Sequence, residues 1–155
     1  MNNVLTHSSL NIVISKIRSD LKKIVFTNGC FDIIHPGHIH VLSKAKLFGD
    51  ILVVGLNSDK SVKKLKGDSR PIQNEKTRSQ KLLELKYVNH VIIFEDLTPK
   101  RLIHIISPDV LVKGGDYKTN EIVGAKRVIS SGGVVKIIPL TPGFSTTAII
   151  RKSSI

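Results

Sequence analysis

Tryptophan is absent from this chain, cysteine occurs once, and aromatic residues make up only 5% of it. A single cysteine excludes an intramolecular disulfide and any cysteine-based metal cluster. Cys30 reads as a small buried apolar residue, and no partner pattern supports a catalytic thiol there. The expected compartment is reducing and cytoplasmic. No apolar run reaches the length of a bilayer span. The N-terminus has no basic segment followed by an apolar core, so no secretion signal is expected. Acidic residues are scarce too: 12 against 24 Lys and Arg, a net charge of +12. That surplus favours an anionic partner, whether nucleotide, phosphorylated metabolite, nucleic acid or acidic membrane. A solvated, lysine-rich surface would give the same count.

What is present is aliphatic. Hydrophobic residues make up 41% of 155, so one domain with a real core is expected, built from Ile, Val and Leu. Such cores suit parallel strands covered by helices on both faces. Met1 to His7 is polar and reads as loose. Ser8 or Ser9 can cap a helix in which Leu10, Val13, Ile14, Ile17 and Leu21 recur at helical spacing. Strands are expected at Ile24-Val25-Phe26, Ile51 to Leu56, His90 to Phe94, Val110-Leu111-Val112 and Val134 to Ile138. Helices are expected from Ile39 to Phe48, from Asn74 through Glu84 or Lys86, from a Thr98 cap with Pro99 first, and from Ile122 to Ile129. Another is expected after a Ser145 or Thr146 cap. The alternation predicts an α/β fold with a Rossmann-like five-stranded parallel sheet. Lys60 to Gln73 is the densest basic stretch and reads as a long loop.

The stretch from Thr27 to His38 organises the rest. Gly29 permits a sharp turn after the first strand. Pro36 suits the first position of a helix. His35 and His38 flank that helix start, where free N–H groups and the dipole favour an anion. A glycine turn, a helix N-terminus and two imidazoles make a site for polyphosphate. A histidine-capped helix without chemistry is the plain alternative. Ligands in such sheets sit beyond the carboxyl ends of the strands. That places Asn57-Ser58-Asp59, Lys66 in the basic stretch, and the paired glycines of Lys113-Gly114-Gly115-Asp116-Tyr117 at the same edge. Arg78 either points back toward phosphate or is an exposed surface residue.

His35-Pro36-Gly37-His38 resembles the His-x-Gly-His signature of the nucleotidylyltransferases, and in its strand-turn-helix setting the chain is similar to their cytidylyltransferase-like branch. Val25 to Asp32, Leu65 to Ile72 and Val112 to Tyr117 resemble, more narrowly, the adenylyltransferases of ADP-heptose synthesis. The likeness runs from about Lys22 to Arg151, so residues 22–155 are expected to be the nucleotidylyltransferase domain and 1–21 an N-terminal helical extension. No kinase half is present, and a stand-alone form is expected.

The resemblance implies transfer of AMP from ATP to a heptose 1-phosphate, with pyrophosphate released. It implies His35, His38 and Lys66 as catalytic residues acting on the phosphates. It implies Thr27, Asn28, Gly29, Cys30, Phe31, Gly37, Lys113, Gly114, Gly115, Asp116, Ser145, Thr146 and Thr147 around the nucleotide. Asp32, Asn57, Arg70 and Arg78 are implied for the substrates. Magnesium is expected to ride on ATP phosphates with no dedicated protein metal site, Asp32 being a weak candidate ligand. The expected partners are ATP and a sugar 1-phosphate, with no nucleic acid, no membrane, and a homodimer as assembly.

One departure from the family pattern concerns its Ser-Ser-Thr-x-Ile-Arg run, where Ile150 stands at the arginine's place and Arg151 follows. On a helix that shift turns the side chain by about 100°, so Arg151 is not assigned to phosphate. Two other readings compete: a cytidylyltransferase acting on glycerol 3-phosphate or a related alcohol phosphate, and a nucleic-acid-binding module. The basic stretch lacks the interleaved aromatics of a single-strand stacking platform.

Overall fold

Short runs of Ile, Val and Leu form the strands because they are buried on both faces. In the computed structural model, which describes residues 3–115 and 117–139, Ile24, Val25 and Phe26 are fully buried. They open β2 (Ile24–Gly29), which is followed by α2 (Pro36–Lys46), β3 (Ile51–Asn57), α3 (Asp59–Lys66), α4 (Glu75–Glu84) and β4 (His90–Phe94). Next come α5 (Lys100–Ile106), β5 (Val110–Gly114), a single 3-10 turn (Thr119–Glu121), α6 (Ala125–Ser130) and β6 (Val134–Ile138). Ahead of them stand β1 (Asn3–Leu5) and α1 (His7–Ser19).

All the strands are parallel, in the order β1-β4-β3-β2-β5-β6. Among the described residues the sheet therefore has six strands, not the five expected. The extra one is β1, whose Asn3 to Leu5 pair with His90 to Ile92. The expected loose start is a strand because Leu5 is buried, while the Asn3 amide oxygen meets His90 Nδ1 at 2.6 Å.

Side-chain alternation splits the core into two layers. On one face Ile24, Phe26, Val53 and Leu111 pack with Leu10, Ile14 and Ile17 of α1, Leu102, Ile103 and Ile106 of α5, and Ala125 and Val128 of α6. On the other, Val25, Leu52, Val54 and Val112 pack with Val41, Leu42 and Ala45 of α2 and Leu82 of α4. Helices thus cover both faces. Gly55 matters to the first layer, since a Cβ there would stand 2.7 Å from the Phe26 ring.

Three local expectations change. Thr6, not Ser8 or Ser9, caps α1: its hydroxyl accepts from the Ser9 N–H at 3.1 Å and the Ser9 hydroxyl accepts from the Thr6 N–H at 3.0 Å. This is a reciprocal box that needs its serine at the third helical position. The first half of the basic stretch, through Lys66, is helical, because Ser58 accepts from the Ser61 N–H at 3.1 Å and Val62 is buried against the sheet. The helix expected over Ile122 to Ile129 begins only at Ala125, since Gly124 adopts φ 85° and interrupts it. The helix expected after residue 145 lies outside the described residues, and among the described ones no helix is long and apolar enough to cross a membrane.

Because Leu10 is 1% exposed within the first layer, Leu10→Ala is expected to cost about 2–5 kcal/mol. Urea unfolding measures it. An unchanged midpoint would show that α1 adds nothing to the core.

Candidate active site

Leaving β2, the chain reverses through Gly29, Cys30 and Phe31. Phe31 has φ 45°, a left-handed conformation costing a side-chain-bearing residue roughly 1–2 kcal/mol. Its ring folds back over Gly29, where a Cβ would lie 2.9 Å from Phe31 Cε2. That ring then meets His38 edge-on, with centroids 5.1 Å apart.

His35 caps α2. Its Nδ1 accepts from the Gly37 N–H at 3.1 Å, and His38 Nδ1 accepts from the His35 N–H at 3.4 Å. Each ring accepts a backbone N–H hydrogen bond at Nδ1, so the neutral form of each carries its own proton on Nε2. The two imidazoles stack with centroids 3.7 Å apart. Burial, then the neighbouring His35 and Lys66, push His38 down to about 4, against a nearby Ile33 carbonyl. Burial also lowers His35. Both shifts favour the uncharged form of the pair at neutral pH.

A cavity of about 630 Å³ opens over this turn. It sits where connections from β2 and β5 run to opposite sides of the sheet, the crevice in which α/β folds bind ligands. Of the residues singled out from the sequence, it brings together Thr27, Asn28, Gly29, Cys30, Phe31, His35, His38, Asn57, Lys66, Lys113 and Gly114. Lys66 stands in the last turn of α3, which ends at Gly67 with φ 105°. Burial raises the Cys30 thiol, with Lys66, Arg78 and Arg70 opposing. Burial lowers Lys113, opposed by the nearby Cys30 thiol.

Leu97, Thr98, Pro99, Tyr117 and Val123 also line the cavity, and the sequence reading gave none of them a ligand role. Thr98 and Pro99 read only as a helix start. In the structure Pro99 is itself the cap and no side chain caps α5. The available signal was position: this segment leaves the carboxyl end of β4, on the same sheet edge as the histidines.

Three residues expected at the substrates, Asp32, Arg70 and Arg78, do not line the cavity, and neither do Gly37 and Gly115. Asp32 is 1% exposed. Its carboxylate accepts from Arg70 Nε at 2.7 Å and from the Ile72 and Gln73 N–H groups at 2.9 Å. Arg70 is thereby held against Asp32 and does not line the cavity. Arg78 is fully buried beneath it, donating to the Gln73, Cys30 and Asn57 carbonyls at 2.9, 2.7 and 2.8 Å and to the Asp59 carboxylate at 2.7 Å. It is not an exposed surface residue, and four of its five N–H donors are taken up by protein oxygens. The Gly37 N–H is likewise occupied by His35. Asp116, Ser145, Thr146 and Thr147 lie outside the described residues. Among the described residues no group of three His, Cys, Asp or Glu could hold a metal ion, and Asp32 has its oxygens engaged.

The cytidylyltransferase-like family model matches residues 26–152. The chain belongs to that family. It is 51% identical over 149 residues to the bifunctional protein HldE of Koribacter versatilis, covering 96% of this chain and 31% of that protein. The bifunctional protein HldE of Hyphomonas neptunium is 58% identical over 131 residues, covering 84% and 27%. The chain thus spans about a third of the length of these curated relatives. Among solved structures, the lipopolysaccharide core biosynthesis protein of Thermoplasma volcanium aligns with a TM-score of 0.62 and 30% identity, over 77% of this chain and 97% of that one.

Burial alone would raise Asp32, but the Gln73 and Ile72 N–H groups and Arg70 outweigh it and hold the carboxyl below its usual range. Asp32 therefore stabilises the fold above about pH 4, and the contribution fades as pH falls through its lowered pKa. Asp32→Asn is expected to lose about 1–3 kcal/mol at neutral pH, with the gap to wild type closing in acid. A gap constant across the acid range would contradict this account.

Proposed function

We propose that the chain is an adenylyltransferase that transfers AMP from ATP to D-glycero-D-manno-heptose 1-phosphate, giving ADP-heptose and pyrophosphate for lipopolysaccharide or surface-glycan synthesis. The observation that carries the reading is the stacked His35/His38 pair at the start of α2, facing a cavity it shares with Lys66. Relatives about half identical in sequence that bear the name HldE support the narrower substrate assignment, as do the Leu65 to Ile72 and Val112 to Tyr117 runs.

On this reading an oxygen of the sugar phosphate attacks the α-phosphorus, and the bond to the β-phosphate breaks in line with it. Pyrophosphate leaves with the electron pair, and no covalent protein intermediate forms. The protein's part is positioning and charge stabilisation. Imidazole Nε2–H groups and the Lys66 ammonium meet charge as it builds on the α- and β-phosphates. Placing triphosphate beside the stacked rings favours one imidazolium, whereas two would repel at that separation. Thr27, Asn28 and Gly114, which line the same cavity, are assigned to the nucleotide. Magnesium enters as part of the MgATP substrate, carried on phosphate oxygens, since this ion keeps waters and uses few protein ligands. Homodimer assembly belongs to the same proposal and rests on the resemblance alone.

The test is pyrophosphate release with magnesium, crossing ATP and CTP against heptose 1-phosphate and glycerol 3-phosphate. Release with ATP and the heptose phosphate is expected. Release only with CTP and glycerol 3-phosphate would overturn the substrate assignment. His38→Ala is expected to keep its circular dichroism spectrum and lower kcat by about 10²–10³; near-normal turnover would remove His38 from the chemistry.

A further inference from the structure

Two cationic side chains line the cavity, one from the end of α3 and one from the end of β5. Lys66 and Lys113 both line it, and neither makes an ion pair among the described residues. No Asp or Glu lines it among those residues. The two lysines belong to different sides of the sheet. Lys66 stands close enough to His38 to lower its pKa. Lys113 is two residues beyond Leu111 on β5, and so shares the face that packs α1, α5 and α6. The register agrees, since Leu111 pairs with Val135 and Lys113 with Ile137, both of which pack on that face. Its ammonium lies 5.6 Å from the centroid of the Tyr117 ring.

Around it the wall differs in kind from the histidine side. Leu97, Pro99 and Val123 give apolar surface, Thr98 a hydroxyl and Tyr117 a ring face. A lysine is partly removed from water there, and burial lowers its pKa. An anion relieves that cost. In-line displacement places the entering phosphate and the leaving pyrophosphate on opposite sides of the α-phosphorus. If the histidines and Lys66 hold the leaving side, the second cation is left for the entering side.

We infer that Lys113, with Thr98 and Tyr117, forms the acceptor subsite, in which Lys113 binds the phosphate of the incoming sugar 1-phosphate. This rests on the proposed nucleotidyl transfer. It differs from the sequence reading, which set Lys113 beside the nucleotide. The apolar wall and the Tyr117 ring then accept the C–H face of the sugar, and Thr98 meets a hydroxyl. The subsite thus discriminates by charge: the acceptor must bring a phosphate.

The experiment is steady-state kinetics of Lys113→Met and Lys113→Arg with MgATP and heptose 1-phosphate, together with calorimetric ATP binding in the absence of acceptor. Lys113→Met keeps the length of the side chain and removes its charge. Its KM for the sugar phosphate is expected to rise roughly 10- to 100-fold, the loss of a charge-assisted hydrogen bond, with ATP affinity within about twofold of wild type. Lys113→Arg is expected to recover part of the acceptor KM. A rise in ATP Kd with acceptor KM unchanged would overturn the inference and return Lys113 to the triphosphate. Unchanged constants for both substrates would overturn it as well. Wild-type protein that releases no pyrophosphate from ATP and the sugar phosphate would overturn the functional reading itself, and the subsite with it. An active wild type with an unaffected Lys113→Met variant sinks only the subsite.

Discussion

The guanidinium of Arg78 is the point on which the site hangs. It is fully buried and makes four hydrogen bonds, three to main-chain carbonyls and one to the Asp59 carboxylate. Those carbonyls belong to the turn after β2, the last residue of β3 and the segment entering α4. Without a cation there, three carbonyls would converge unpaired in a dry space, each at a cost of about 1–3 kcal/mol. A lysine cannot replace it, because only the planar fork reaches partners in several directions at once. Asp32 repeats the device with opposite sign, binding Arg70 and two N–H groups. The two residues fix the floor and one wall of the cavity without entering it.

With the floor fixed, the histidine turn can hold an arrangement that is costly in isolation. Phe31 sits in a left-handed conformation, two imidazoles stack, and two lysines face the cavity with no carboxylate lining it among the described residues. Backbone donation to each Nδ1 selects neutral rings whose proton is on Nε2, and burial keeps them neutral. Positive charge that no described carboxylate pairs with strengthens attraction for an anionic ligand, since the ligand's arrival removes a standing desolvation cost. The surplus of +12 in the chain draws anions at long range, while the cavity residues decide where they stop.

Much of the architecture was legible in the residue pattern. Ile- and Val-rich runs marked the five longer strands, because burial on both faces demands an unbroken apolar stretch. The turn from Thr27 to His38 announced itself through Gly29, Pro36 and two histidines at fixed spacing. What escaped detection was smaller or longer in range. β1 offers three residues with one buried side chain, below the length at which alternation carries information. α3 hid behind its lysines, since Val62 alone of its apolar residues is buried. Arg78 could not be placed because its partners lie 21 and 48 residues away along the chain, and only the fold brings them together. Leu97 to Pro99 lacked any motif, and their part in the cavity follows from the topology of β4.

The central claim is that His35 and His38 wait as neutral, Nε2-protonated rings at the start of α2 and respond to phosphate. Long-range 15N–1H NMR of the imidazoles, recorded as a function of pH with and without MgATP, tests it most directly. The account predicts Nε2–H tautomers for both rings at neutral pH, a His38 midpoint near 4 in the free protein, and an upward shift of one ring when MgATP binds. Rings already charged at neutral pH, Nδ1–H tautomers, or no response to MgATP would contradict it.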